Sequence, residues 1–278
     1  MRSAVCSLCF LGLSLPVFGE LAIDRLALHQ YEDGPLLGPN YEFLPGETAY
    51  FSCRVSGFQV RVQEEERTAK LTWEMQVEDP SGALLENPLS GQIQESLSSQ
   101  DKTWIPKFLA SFVVPPFAPS GTYKIPVHIR DEIAGKDLRA TLEFKVRGHD
   151  VEPSETLVAR NFKLLHAEDE TAVTPPIFKP GSTLWAKFDI TGFKLGPQNN
   201  FSVEYGLAVE NGEGKQLFSQ PMAAEDHGEP FYPKRYVPGV LSLNLDSNVS
   251  KGQYTLVVIL RDQVGQQLQE VRQPFQVE

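Results

Sequence analysis

The 278-residue chain is 41% hydrophobic and 10% aromatic, which excludes a disordered polymer, and its three cysteines are too few for a disulfide scaffold. A net charge of −11 leaves nothing to neutralise phosphates, so nucleic acid is excluded as a partner. Twenty-one Gly and 21 Pro without a fixed period suit many turns between short strands.

Residues 1–19 read as a secretory signal peptide. Arg2 is the only charge before Glu20, and Ala4 to Leu15 is an apolar run too short to span a bilayer comfortably. Pro16 breaks any helix, and Val17-Phe18-Gly19 offers a cleavage point after Gly19. Cys6 and Cys9 lie early in the run, so neither is placed for lipidation. Cleavage removes Arg2 and no acid, and leaves Cys53 as the one thiol. No later stretch reaches membrane length. The expected location is periplasmic or extracellular.

An internal repeat follows. Phe43-Leu44-Pro45-Gly46 returns as Phe178-Lys179-Pro180-Gly181, and Gly57-Phe58 returns as Gly192-Phe193. Leu71, Trp73, Met75, Val77, Glu78 and Gly82 match Val203, Tyr205, Leu207, Val209, Glu210 and Gly214. Trp104-Ile105-Pro106 matches Tyr236-Val237-Pro238, and Gly121-Thr122-Tyr123 matches Gly252-Gln253-Tyr254. The order never permutes. The expected division is a first unit over 20–147, a polar linker over 148–156 and a second unit over 157–278. The short linker implies end-to-end units with restricted motion.

Within each copy the hydrophobic period is two. Ala49, Phe51, Cys53 and Val55 share one face, as do Leu184, Ala186, Phe188 and Ile190. Tyr123, Ile125, Val127 and Ile129 alternate with polar residues, and Pro45-Gly46, Asp79-Pro80-Ser81-Gly82 and Glu213-Gly214 mark turns. About seven strands per copy and no convincing amphipathic helix predict an all-β chain of two tandem antiparallel β-sandwiches. The charged segment from Gln63 to Lys70 reads as a loop or a single helical turn.

Gly-x-Tyr before an alternating strand resembles the tyrosine corner of immunoglobulin-like sandwiches, with Tyr123 and Tyr254 in that place. Phe-x-Pro-Gly before a strand, then a Gly-Phe exit, resembles bacterial secreted immunoglobulin-like and macroglobulin-like domains. The resemblance implies a fold and no activity. The paired Cys of true immunoglobulins and a thioester motif are both absent from the sequence.

The repeat aligns Cys53 with Phe188, which makes it a core residue rather than a nucleophile. His29, His128, His149, His166 and His227 show no metal spacing, and no cofactor motif is present. Asp131 and Asp262 open the last hairpin of each copy; a turn role and a calcium site between units are both open. Nothing nominates a catalytic pair, so the chain is read as a non-enzyme without cofactor or metal.

The candidate binding residues lie in the second copy. Trp185 points outward by register, and Pro230 to Tyr236 is an aromatic and basic loop with Phe231, Tyr232, Arg235 and Tyr236. Val257 and Ile259 replace Pro126 and His128 of the first copy, which makes an outer patch either exposed or covered by that loop. The expected function is non-catalytic binding or scaffolding, toward a protein or glycan of the cell envelope or extracellular space. The alternative is a carbohydrate-binding module stacking sugars on Trp104, Trp185, Tyr232 and Tyr236.

Overall fold

A computed structural model describes residues 20–63, 66–98, 100–101 and 103–278. The leader therefore lies outside the described residues. Among them no helix is long and apolar enough to cross a membrane.

The alternating runs form strands. The first unit holds β1 (Ala22–His29), β2 (Glu42–Phe43), β3 (Thr48–Ser56), β4 (Val60–Gln63), β5 (Glu66–Met75), β6 (Leu89–Leu97), β7 (Lys107–Val113), β8 (Gly121–Asp131) and β9 (Lys136–Val146). The second holds β10 (Val158–Leu165), β11 (Ile177–Phe178), β12 (Thr183–Thr191), β13 (Phe201–Asn211), β14 (Gln216–Gly228), β15 (Val237–Asn244), β16 (Gly252–Asp262) and β17 (Gln267–Val277).

Each unit stacks a three-stranded sheet on a larger one. The orders are β1-β3-β7 against β2-β9-β8-β5-β4, with β6 paired to β5, and β10-β12-β15 against β11-β17-β16-β13-β14. Pairing is antiparallel except where the two-residue strands β2 and β11 run parallel to β9 and β17. Every strand pairing lies within 22–146 or within 158–277.

The inward faces are the ones the alternation marks. Ala49, Phe51, Cys53 and Val55 meet Tyr123, Ile125, Val127 and Ile129 in one core. Leu184, Ala186, Phe188 and Ile190 meet Tyr254, Leu256, Val258 and Leu260 in the other. Both tyrosine corners form: the Tyr123 hydroxyl donates to the Pro119 carbonyl at 2.9 Å, and the Tyr254 hydroxyl to that of Ser250 at 2.7 Å.

The stretch from Gln63 to Lys70 corrects the loop reading. Its described residues, Gln63 and 66–70, belong to the paired strands β4 and β5, with Val60 opposite Ala69 and Gln63 opposite Glu66. Glu66 and Lys70 are exposed while Ala69 and Leu71 are buried, so β pairing holds these residues despite their polarity.

Two outward positions on β12 are also buried. Asp189 accepts from Asn161 Nδ2 at 2.7 Å and lies 2.8 Å from His149 Nε2, while Thr191 Oγ1 donates to the Arg235 carbonyl at 3.2 Å. The linker and the loop before β15 pack over that end of the sheet.

Candidate functional site

The turn Asp79-Pro80-Ser81-Gly82 closes one end of the first unit. Asp79 Oδ1 accepts from the backbone N–H of Ser81 at 2.8 Å and of Ala83 at 2.9 Å, and from Ser81 Oγ at 2.6 Å. An Asp side chain commonly folds a turn in this way. Its second oxygen is spent on the other unit. Asp79 Oδ2 accepts from the Tyr232 hydroxyl at 2.9 Å and forms an ion pair with Arg235, whose Nη2 also donates to Ser81 Oγ at 2.7 Å.

Tyr232 thereby enters the core of the first unit, although it belongs to the loop before β15. Tyr236 sets its ring edge-on to Phe117 of the β7–β8 loop, with centroids 5.5 Å apart, and tilts against His149 of the linker. Lys234 pairs with Asp226 and holds its ammonium 4.5 Å from the Phe117 ring centroid. Asn199 Nδ2 donates to the Phe231 carbonyl at 2.6 Å and anchors the loop from below.

The Asp79 side chain is fully buried and the Arg235 side chain is 37% exposed. Burial works to raise the Asp79 pKa. The donors from Ser81, Ala83, Tyr232 and Arg235 outweigh it and hold the carboxyl below its ordinary value. A depressed native pKa contributes stability above the unfolded value, about pH 4, and that contribution is lost as pH falls through the native value. Acid is therefore expected to loosen the joint. X-ray scattering should show a broader spread of inter-unit distances below about pH 4. An Asp79→Asn chain should show that spread at neutral pH, with little further change of this kind on acidification.

The sequence-nominated residues have separate fates. Tyr232 and Tyr236 are each only 8% exposed and Arg235 is engaged, so three of the loop residues join the units. Phe231 remains free, at 49%. Trp185 is half-buried on the outer face of β12, opposite Ser242. Val257 is buried and Ile259 half-buried. The loop is not what lies over this face, because it runs to the first unit. On the neighbouring strand β14 bulges over Gly206, where a Cβ would meet the Gln220 carbonyl oxygen at 2.2 Å. Gly206 pairs with Ile259, and Ala208 on the same face pairs with Val257.

The proposed sugar platform is dispersed by the same contacts. Tyr232 and Tyr236 are in the joint, Trp104 packs edge-on against Phe58 in the first unit, and Trp185 lies on the second. Asp131 and Asp262 behave alike as turn staples. Each accepts two N–H bonds within its hairpin, and each reaches one N–H just beyond the Gly-Phe exit, at Gln59 and Lys194. Their oxygens are occupied by donors, as a turn role requires.

Cys53 is buried on β3, and burial pushes its thiol up to about 12. Labelling by a bulky thiol reagent at pH 8 should be negligible in the native protein and prompt after denaturation. Rapid native labelling would overturn the core assignment.

Two of the concave surfaces among the described residues lie beside residues discussed above. One is a groove of about 540 Å³ where β1 and β9 part, floored by Leu26, Leu28 and Leu142. The other is a cleft of about 450 Å³ at the joint, walled by Phe117, His149, Phe193, Leu195, Arg235 and Tyr236. The cleft contains nominated residues, and its two walls come from different units. Asp79, Phe117 and His149 were missed from sequence. Asp79 carried a signal only as a turn residue, and its partners lie more than 150 positions away.

No protein-family model matches the chain, and no curated protein matches it. Among solved structures it is similar to the C-terminal domain of the Streptococcus agalactiae AgI/II polypeptide BspA, at 10% identity over 91% of this chain and 99% of that one, with a TM-score of 0.29. It is also similar to the C-terminal domain of the Streptococcus pyogenes antigen I/II-family protein AspA, at 8% identity over 94% and 99%, with a TM-score of 0.30. Scores this low mark a loose likeness between β-rich chains and carry no functional weight.

Proposed function

We propose that the chain is an exported, non-catalytic binding or scaffolding protein that engages a protein partner at the cleft beside its inter-unit joint. The supporting observation is the cleft itself. It sets aromatic side chains and a partly exposed Arg235 in a frame held by the Asp79 clamp. Aromatic groups and Arg dominate binding energy at protein interfaces, and a frame formed in advance lowers the ordering cost of binding. Leu195 is exposed at the cleft wall, and Phe231 is exposed two residues before Pro233 of that wall. The buried carboxylates Asp79, Asp131, Asp189 and Asp262 are all engaged as acceptors, which suits structural duty better than proton transfer.

The test places a photo-crosslinking amino acid at position 231 and recovers adducts from the envelope and secreted fractions of the native host. A discrete protein adduct is expected, and Leu195→Asp should reduce its yield at least about tenfold, as the loss of an interface anchor does. Equal yield from the Leu195→Asp chain would remove the cleft as the binding surface. Tyr232 and Tyr236 are unsuitable probes, because their loss would also disturb the joint.

A further inference from the structure

The groove between β1 and β9 runs along two strand edges that the fold leaves open. Among the described residues β1 has β3 as its one neighbour, and β9 has β8 along one side. On its other side β9 meets β2 only at Lys145 and Val146, so no described strand lies beside Lys136 to Phe144. The pleat decides which backbone groups are left over. Arg147 N donates to the Phe43 carbonyl at 2.9 Å, so the odd-numbered residues of β9 turn their N–H and C=O toward this edge. Those of Arg139, Thr141 and Glu143 have no strand to pair with.

The even-numbered side chains of β9 face the core. Leu138 and Leu142 are nevertheless only half-buried, as are Leu26 and Leu28 on β1. The seam between the two sheets is therefore apolar and incompletely closed.

The matching edge of the second unit is built differently. Gly252 pairs with Val277 as Gly121 pairs with Val146, so the β16–β17 hairpin has the register of β8–β9. Gln276 N and Glu278 N donate to the Pro176 and Phe178 carbonyls at 2.9 and 3.0 Å, so here the even-numbered residues face the edge. Pro274 stands where the first unit has Glu143, and it has no N–H to offer. Gln269 and Gln273 stand where the first unit has Leu138 and Leu142. Proline on an edge bars an added strand, and glutamine removes the apolar seat. From Lys136 to Phe144 the first unit carries neither device.

The β9 strand of a second copy fits this edge poorly. In the antiparallel register with Arg139 opposite Glu143, Lys136 of the second copy falls in the place of Phe43. The next two registers set Asp137 opposite Glu143 or Arg139 opposite Arg139. Like charges directly opposite are destabilising. A single extended segment has no hairpin behind it and meets none of these obstacles.

We infer that β9 of the first unit accepts an added strand from a partner protein. The segment is extended and apolar at every second residue. It pairs with Arg139 to Glu143 and seats its apolar side chains on Leu26, Leu28, Leu138 and Leu142. β2 shows the mode in miniature, because Phe43 enters the core from the same slot. Main-chain bonds supply the affinity of such a contact, and the seats for alternate side chains supply its selectivity. The site is separate from the cleft at the joint, and the inference does not rest on that cleft.

A phage-displayed library of random decapeptides, panned on the purified protein, tests this. Enriched sequences should alternate apolar and polar residues. The corresponding synthetic peptides should slow hydrogen exchange at the Arg139, Thr141 and Glu143 amides. Glu143→Pro and Leu142→Gln install the residues of the second unit, so both variants should melt near the parent. Each should weaken peptide binding at least about tenfold, the equivalent of one hydrogen bond or one apolar seat. No enrichment, sequences without alternation, unchanged exchange at those amides, or equal binding by the Glu143→Pro chain would each overturn the inference. Self-association that Glu143→Pro abolishes would overturn it too, by giving the edge to a second copy.

Discussion

Asp79→Ala is expected to destabilise the chain by about 2–3 kcal/mol and to free the two units from one another. The change removes the turn acceptor for Ser81 and Ala83 and leaves the Tyr232 hydroxyl without its partner inside the first core. It also leaves Arg235 unpaired. Breaking a fully buried pair costs about 3–5 kcal/mol, but Arg235 is 37% exposed and water recovers part of that loss. Urea unfolding of the parent, Asp79→Ala, Arg235→Ala and the double variant should give single-variant losses that sum to more than the double's loss. Additive losses would mean that the ion pair contributes nothing as a pair. Scattering should show a wider range of inter-unit distances in both single variants.

Gly192→Ala should be more damaging still, by about 3–5 kcal/mol. Gly192 holds a φ of +78°, and a Cβ there would lie 1.9 Å from the Thr156 carbonyl oxygen. The left-handed backbone alone costs an alanine roughly 1–2 kcal/mol. The larger part is steric, because the obstacle is backbone just ahead of β10 and cannot turn aside. Gly57 is the repeat equivalent, with a φ of +66° and a Cβ position 2.0 Å from the Glu20 carbonyl oxygen, so Gly57→Ala should behave alike in the first unit. Gly214→Ala is the control. Its φ is +80°, yet nothing lies within 4 Å, so it should lose only the conformational part. Thermal melts of the three variants separate the two contributions. Equal losses at Gly192 and Gly214 would show that the close approach to Thr156 is not real.

The same two glycines show how far sequence reading reached. Gly57-Phe58 and Gly192-Phe193 were legible as a repeated exit from a strand. The close approach that demands glycine there was not, because Glu20 and Thr156 are far away in sequence. The inward residues of β3, β8, β12 and β16 were legible because the strand pleat ties facing to parity. Gln63 to Lys70 was misread because its charges suggested solvent, whereas a hairpin ribbon can expose charge and keep its ladder. Val257 and Ile259 alternate with the core residues Leu256, Val258 and Leu260. The β14 bulge seated on Gly206, the strand partner of Ile259, was not legible, because it depends on strand pairing.

The sequence by itself determined an all-β chain, the inward faces of its strands and the turns between them. Those properties are local: a period of two, a Gly at a turn and a Tyr at a corner need only their neighbours. Tertiary structure alone decided that the loop with Tyr232, Arg235 and Tyr236 is chiefly a joint. The Asp79–Tyr232 bond spans 153 positions and exists only where the end of one sandwich meets the end of the other. No alternation or spacing records that meeting. It depends on how two finished surfaces fit, and a buried carboxylate is satisfied only once both are in place.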